Sequence, residues 1–162
     1  MRWFFPLLVC LTLIAGAAFA QATEAPIVLL KAKPEQVTTP PGGEFQLDLV
    51  LNIAPKFHIN GPSAGDAGLI PLAMKLVAPN GLSFSPPAFP KAKQVRVQFA
   101  DKPVEMYSGQ VIIGLKGKAA QGLKPGVYQV SALISYQACD DMVCHMPFNQ
   151  ELPFEVKVVA KP

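Results

Sequence analysis

The amino-acid sequence predicts an all-β protein, an antiparallel sandwich of short strands. Seventeen prolines and twelve glycines are spread along the 162 residues rather than clustered. That distribution favours many short strands joined by turns and disfavours a helical bundle. Several segments alternate apolar and polar residues with a period of two, the mark of a strand with one buried and one wet face. Turn signals recur along the whole chain, and no segment keeps a helical period over three turns. The length suits one domain with its own core. The formal net charge is only +3, with no basic stripe, so nucleic acid is not an expected partner.

The first twenty residues read as an export signal. Arg2 supplies a short positive region, Leu7 to Ile14 an apolar run, and Ala18-Phe19-Ala20 a small-x-small cleavage site. Cleavage is expected after Ala20, leaving residues 21–162 as the β-sandwich domain. The apolar run is short for a membrane span of about 20 residues. Cys10 lies inside that run and leaves with the signal. The mature chain then keeps two cysteines and a net charge of about +2. No later segment is long and apolar enough to cross a bilayer. The expected product is exported, not stably inserted in a membrane, and placed where disulfides form.

The strands follow in order. Ile27 to Ala32 is a short strand ended by Lys33-Pro34, and Thr39-Pro40-Pro41-Gly42-Gly43 is a turn cluster. Glu44 to Ile53 is the clearest strand, with Phe45, Leu47, Leu49, Leu51 and Ile53 on one face. Pro55 to Pro62 reads as an extended segment and turn, and Ser63 to Gly68 as a loop. Ile70 to Ala78 is a strand, Pro79-Asn80-Gly81 a turn, and Leu82 to Phe84 a short strand. Gln94 to Phe99 alternates again, Val104 to Tyr107 suits an edge, and Gln110 to Leu115 is rich in branched residues. Lys118 to Gly126 is a loop. Val127 to Ala138 is the longest strand and runs into Cys139. Leu152, Phe154, Val156 and Val158 alternate on the way back. The pair forms a hairpin whose far end carries both remaining cysteines.

That end, Tyr136 to Pro147, concentrates the chemistry. It holds Cys139 and Cys144, the acids Asp140 and Asp141, Met142, His145 and Met146. Only four residues separate the cysteines, so they cannot staple two distant strands across a core. A disulfide between them would close a ring of six residues. Loop entropy makes such a bridge worth about 2 kcal/mol, against about 4 or more for a long loop. A short ring also constrains the bridge and makes it easier to reduce. Three readings stay open on spacing alone: a pin for the hairpin end, a redox pair, and a metal site. Asp140 and Asp141 disfavour a thiolate nearby. Met142, Cys144, His145 and Met146 form a soft-ligand set that suits copper(I), although the methionines would equally serve as apolar cover for the sulfurs. Paired zinc-ligand spacing is missing, and His58 is the one other histidine.

The chain resembles the N-terminal periplasmic domain of the thiol:disulfide interchange protein DsbD, a family that includes the disulfide bond corrector domains. The matching pieces are Phe57-His58-Ile59-Asn60, Leu69-Ile70-Pro71, and Tyr107-Ser108-Gly109 with the following Val111-Ile112-Ile113. The most specific is Tyr136-Gln137-Ala138-Cys139 with Cys144 and then Pro147. The resemblance as a whole covers roughly Ile27 to Val159. The resemblance implies an immunoglobulin-like sandwich with the cysteine pair on a hairpin near one end. It implies a thiol–disulfide oxidoreductase of the periplasm with no cofactor beyond a redox-active Cys139–Cys144 pair. Cys144 would form the mixed disulfides and Cys139 would resolve them. The expected partners are thioredoxin-like proteins and a separate membrane thiol reductase, since neither domain occurs in this sequence. A cap loop with an aromatic residue shields the pair in the family; by order along the chain its counterpart lies between Val95 and Met106, which makes Phe99 the expected cap, and Tyr136 is the second expected shielding residue. One departure is local: His145-Met146 precede Pro147, where the family has proline soon after the second cysteine.

Overall fold

The computed structural model describes residues 26–97 and 101–160. The predicted signal sequence and Phe99 lie outside the described residues. Among the described residues twelve strands occur in the order β1 (Val28–Lys33), β2 (Gln36–Thr39), β3 (Glu44–Ile53), β4 (His58–Asn60), β5 (Ala73–Val77), β6 (Leu82–Phe84), β7 (Lys93–Val95), β8 (Val104–Tyr107), β9 (Gln110–Ala119), β10 (Gly126–Tyr136), β11 (Ala138–Cys139) and β12 (Phe148–Val158). The one helical element among the described residues is a 3-10 turn, Ala64–Ala67.

Two four-stranded sheets, β1-β3-β9-β6 and β2-β12-β10-β5, pack face to face as an immunoglobulin-like sandwich. The alternation read in β3 is the alternation observed. Phe45, Leu47, Leu49, Leu51 and Ile53 are buried, and Glu44, Gln46 and Asp48 are exposed. From the facing sheet, Val130, Ala132 and Ile134 of β10 and Phe154, Val156 and Val158 of β12 complete the core. Phe84 sits edge-on to both Phe45 and Phe154, with centroids 5.5 and 6.1 Å apart, and so links the two sheets.

The differences from the sequence reading have local causes. β2 is too short to show a period, yet Val37 and Thr39 are buried and it pairs with β12. That pairing is parallel, whereas the other strand pairs are antiparallel. β5 starts at Ala73 rather than Ile70, because Ile70 gives its carbonyl to the Asn60 side chain (3.0 Å) instead of to a strand. β9 runs on to Ala119, which is fully buried and pairs with Leu82. β12 reaches back to Phe148, whose ring stacks on Tyr136 at 6.0 Å and extends the hairpin.

The third sheet, β11-β4-β8-β7, lies at one end of the sandwich. One face of it joins the core through Ala138, Ile59 and Tyr107, and Tyr107 donates its hydroxyl to the Pro90 carbonyl. The other face carries the site.

Candidate functional site

β10 and β12 pair from Gly126↔Val158 to Tyr136↔Phe148, so the segment 137–147 is the far end of a long hairpin. The chain leaves β10 at Gln137, whose side-chain amide donates to the His145 carbonyl at 3.1 Å. β11 then pairs with β4, setting Ala138 opposite Ile59 and Cys139 opposite His58. Cys144 returns beside Cys139 as a single antiparallel bridge. Two backbone hydrogen bonds bracket that bridge: Asp140 N–H donates to the Val143 carbonyl (2.9 Å) and His145 N–H to the Ala138 carbonyl (2.8 Å). The cysteines therefore occupy a non-hydrogen-bonded pair, the antiparallel position at which facing side chains come closest. Their α-carbons are 3.9 Å apart and the sulfurs are bonded.

Asp140 closes the loop between them. Its Oδ1 accepts the N–H groups of Met142 and Val143, both at 2.8 Å. This is an Asx-type turn, a carboxylate standing in for a backbone acceptor. Those two donors hold the Asp140 carboxyl below the usual carboxylate range, with His145 adding to the effect. His145 Nε2 lies 3.8 Å from Asp140 Oδ2, and the His145 ring rests near Phe57, centroids 5.5 Å apart. That nitrogen is shielded from solvent and has no hydrogen-bond partner among the described residues.

The two cysteines differ in exposure. Cys139 is 3% exposed, whereas Cys144 is exposed. Beside them runs an open groove of about 600 Å³ across the outer face of the third sheet. Cys139 and Cys144 lie at one end, His58, Asn60 and Met106 along the middle, and Lys93 and Val95 on the far strand. Ala64, Val104 and Met106 form a small buried cluster beneath it, covered by Leu69 and Val97. Residues directly opposite on neighbouring antiparallel strands share a face, so His58 stands on the same side of the sheet as Cys139. The sequence reading did not place His58 or Lys93 at the site, and it used Val95 and Met106 only as the bounds of the expected cap stretch. The Phe57-His58-Ile59-Asn60 segment was the one signal for the first of these.

The other predicted site residues are distributed as follows. Tyr136 is 1% exposed within the core, where burial pushes its hydroxyl pKa up, and it is not among the groove-lining residues. Met142 and Met146 are 92% and 81% exposed, so they do not cover the disulfide. A copper(I) site using Met142, Cys144, His145 and Met146 would require Cys144 to be reduced. Among the described residues, no group of three or more His, Cys, Asp or Glu is placed to hold a metal ion.

A family model, the N-terminal domain of the thiol:disulfide interchange protein DsbD, matches residues 28–155. The chain belongs to the DsbD N-terminal domain family. It is thus a thiol–disulfide interchange domain carrying a cysteine pair. Comparison with curated protein sequences yields no match. Among solved structures, the N-terminal periplasmic domain of ScsB from Proteus mirabilis shares the fold, with a TM-score of 0.51 and 15% identity. That match covers 78% of this chain but 44% of the ScsB chain. The reduced N-terminal domain of Neisseria meningitidis DsbD matches at 15% identity and a TM-score of 0.44, covering 68% of this chain and 77% of its own. Among the described residues of this DsbD-type domain, no helix is long and apolar enough to cross a membrane.

Proposed function

We propose that this domain passes reducing equivalents to oxidised exported proteins in the periplasm through the Cys139–Cys144 pair. The observation that carries the reading is the unequal exposure of the two cysteines in a DsbD-type domain: Cys144 exposed, Cys139 buried. In the reduced domain the Cys144 thiolate attacks a partner disulfide, forming a mixed disulfide and releasing one partner thiolate, which takes a proton. The Cys139 thiol loses its proton and its sulfur attacks Cys144 Sγ. The Cys139–Cys144 bond forms and the second partner thiolate leaves. Two electrons have moved to the partner, and the domain is left oxidised. A thioredoxin-like protein, supplied by a membrane thiol reductase, restores the dithiol by the reverse exchange.

The exposed cysteine is the one a second protein can reach, and the buried one needs only to reach its neighbour. Cys139→Ala is therefore expected to accumulate mixed disulfides through Cys144, and Cys144→Ala to accumulate none. Non-reducing gels with mass spectrometry of the trapped species read this directly. Trapping by Cys144→Ala alone would reverse the roles. Phe99 is the proposed cap, two residues beyond the groove-lining Val97. Phe99→Ala should speed alkylation of the reduced thiols without changing the melting temperature, and an unchanged rate would remove Phe99 from the site. Cleavage after Ala20 is the expected route of export, checked by N-terminal sequencing of the exported protein.

A further inference from the structure

We propose that Asp140 is a positioning residue for the exchange reaction, holding Cys139 and Cys144 in register while the bond between them is open. This rests on the exchange reading above and names the group that makes its second step fast. The loop from Asp140 to Val143 contains neither glycine nor proline, so nothing in its backbone alone favours a tight reversal. Its other side chains do not anchor it, since Met142 is 92% and Val143 56% exposed. What holds it is one carboxylate oxygen receiving two N–H groups at 2.8 Å, together with the Asp140 N–H to Val143 carbonyl bond. None of these contacts involves sulfur, so none is lost when the disulfide opens. With the His145 N–H to Ala138 carbonyl bond on the other side, the cysteine pair is bracketed by hydrogen bonds that survive reduction.

The consequence is kinetic. In the mixed disulfide, Cys139 must displace the partner from Cys144, and an intramolecular step gains from groups already held at reacting distance. The charge at this position works the other way, because a carboxylate one residue from Cys139 opposes the thiolate that must attack. An aspartate here is thus explained by its acceptor geometry rather than its charge. Asparagine offers the same oxygen acceptor without the charge, and this separates the two roles. Asp141, exposed and next in sequence, is the control for charge alone.

The test uses the purified oxidised domain and glutathione. The domain is converted to its Cys144–glutathione mixed disulfide, and the release of glutathione by Cys139 is timed by acid quench and mass spectrometry. Loss of the two hydrogen bonds in Asp140→Ala should slow release by about fivefold or more. Asp140→Asn should stay within about twofold of wild type or exceed it, and Asp141→Ala should also stay within about twofold. Near-UV circular dichroism checks that each variant is folded. If Asp140→Ala releases glutathione as fast as wild type, or Asp140→Asn is as slow as Asp140→Ala, the proposal is overturned while the exchange reading stands. A wild-type bond that glutathione never opens overturns the exchange reading and this proposal with it.

Discussion

At Cys139 the side chain is buried beside β4, whereas Cys144, one bridge away, is exposed. Sequence spacing brought these two together and left three uses open. Their difference in access was not legible, because it depends on β4, eighty residues upstream in the chain, covering one of them. Asp140 shows the same limit. In sequence it is a charge beside a thiol; in the fold it is an acceptor for two backbone donors. Its pKa is depressed, so its contribution to loop order is complete above the free aspartate value of about 3.9 and declines as pH falls toward and through its lower folded value. His145, 3.8 Å away, is the ionisable side chain facing it. An NMR titration of the Asp140 carboxyl should therefore give a midpoint below that of a free aspartate, with the Met142 and Val143 amide shifts following the same curve. A midpoint at or above the free value would remove the turn as the cause.

The β11-β4-β8-β7 sheet is the element that turns a hairpin end into a site. Its inner face joins the core through Ile59, Tyr107 and Ala138, which fixes β11 in place, and its outer face presents the groove. If a protein partner lies along that groove, Val95, 37% exposed on the outer strand β7, is a contact. Val95→Asp should then slow reduction of a protein disulfide by about fivefold or more, the loss of a moderate interface residue, with glutathione reduction unchanged. Equal slowing of both reactions would mean that the substitution acts on the disulfide itself. A strand with a long alternation was readable beforehand, as β3 shows to the residue, and the three-residue β6 was readable from the turn signals that flank it. β2, β4 and β11 have four residues or fewer, and they are strands because distant partners pair with them. No local pattern of that length separates a strand from a loop.

At the level of the whole molecule, the sandwich core and the disulfide are largely independent. Leu49, Leu51, Ile113, Ile134 and Val156 are fully or almost fully buried between the two large sheets, and none of them belongs to the segment 137–147 that carries the cysteines. Leu49→Ala should cost about 2–5 kcal/mol in chemical denaturation. Opening the six-residue ring should cost only about 2 kcal/mol, so the reduced domain stays folded, as a protein that cycles between two redox states must. The fold class was legible because it rests on the period of two in β3, β10 and β12 and on the branched residues of β9. The parallel β2–β12 pairing was not, since Gln36 and Glu155 meet only through the tertiary fold. Exchangeability of the Cys139–Cys144 bond decides the function of the domain, and a redox titration of the purified metal-free domain against glutathione, read by thiol alkylation, measures it. A reduction potential well above about −300 mV is expected of an exchanging pair, and one below it would make the bond a structural staple and contradict the proposed function.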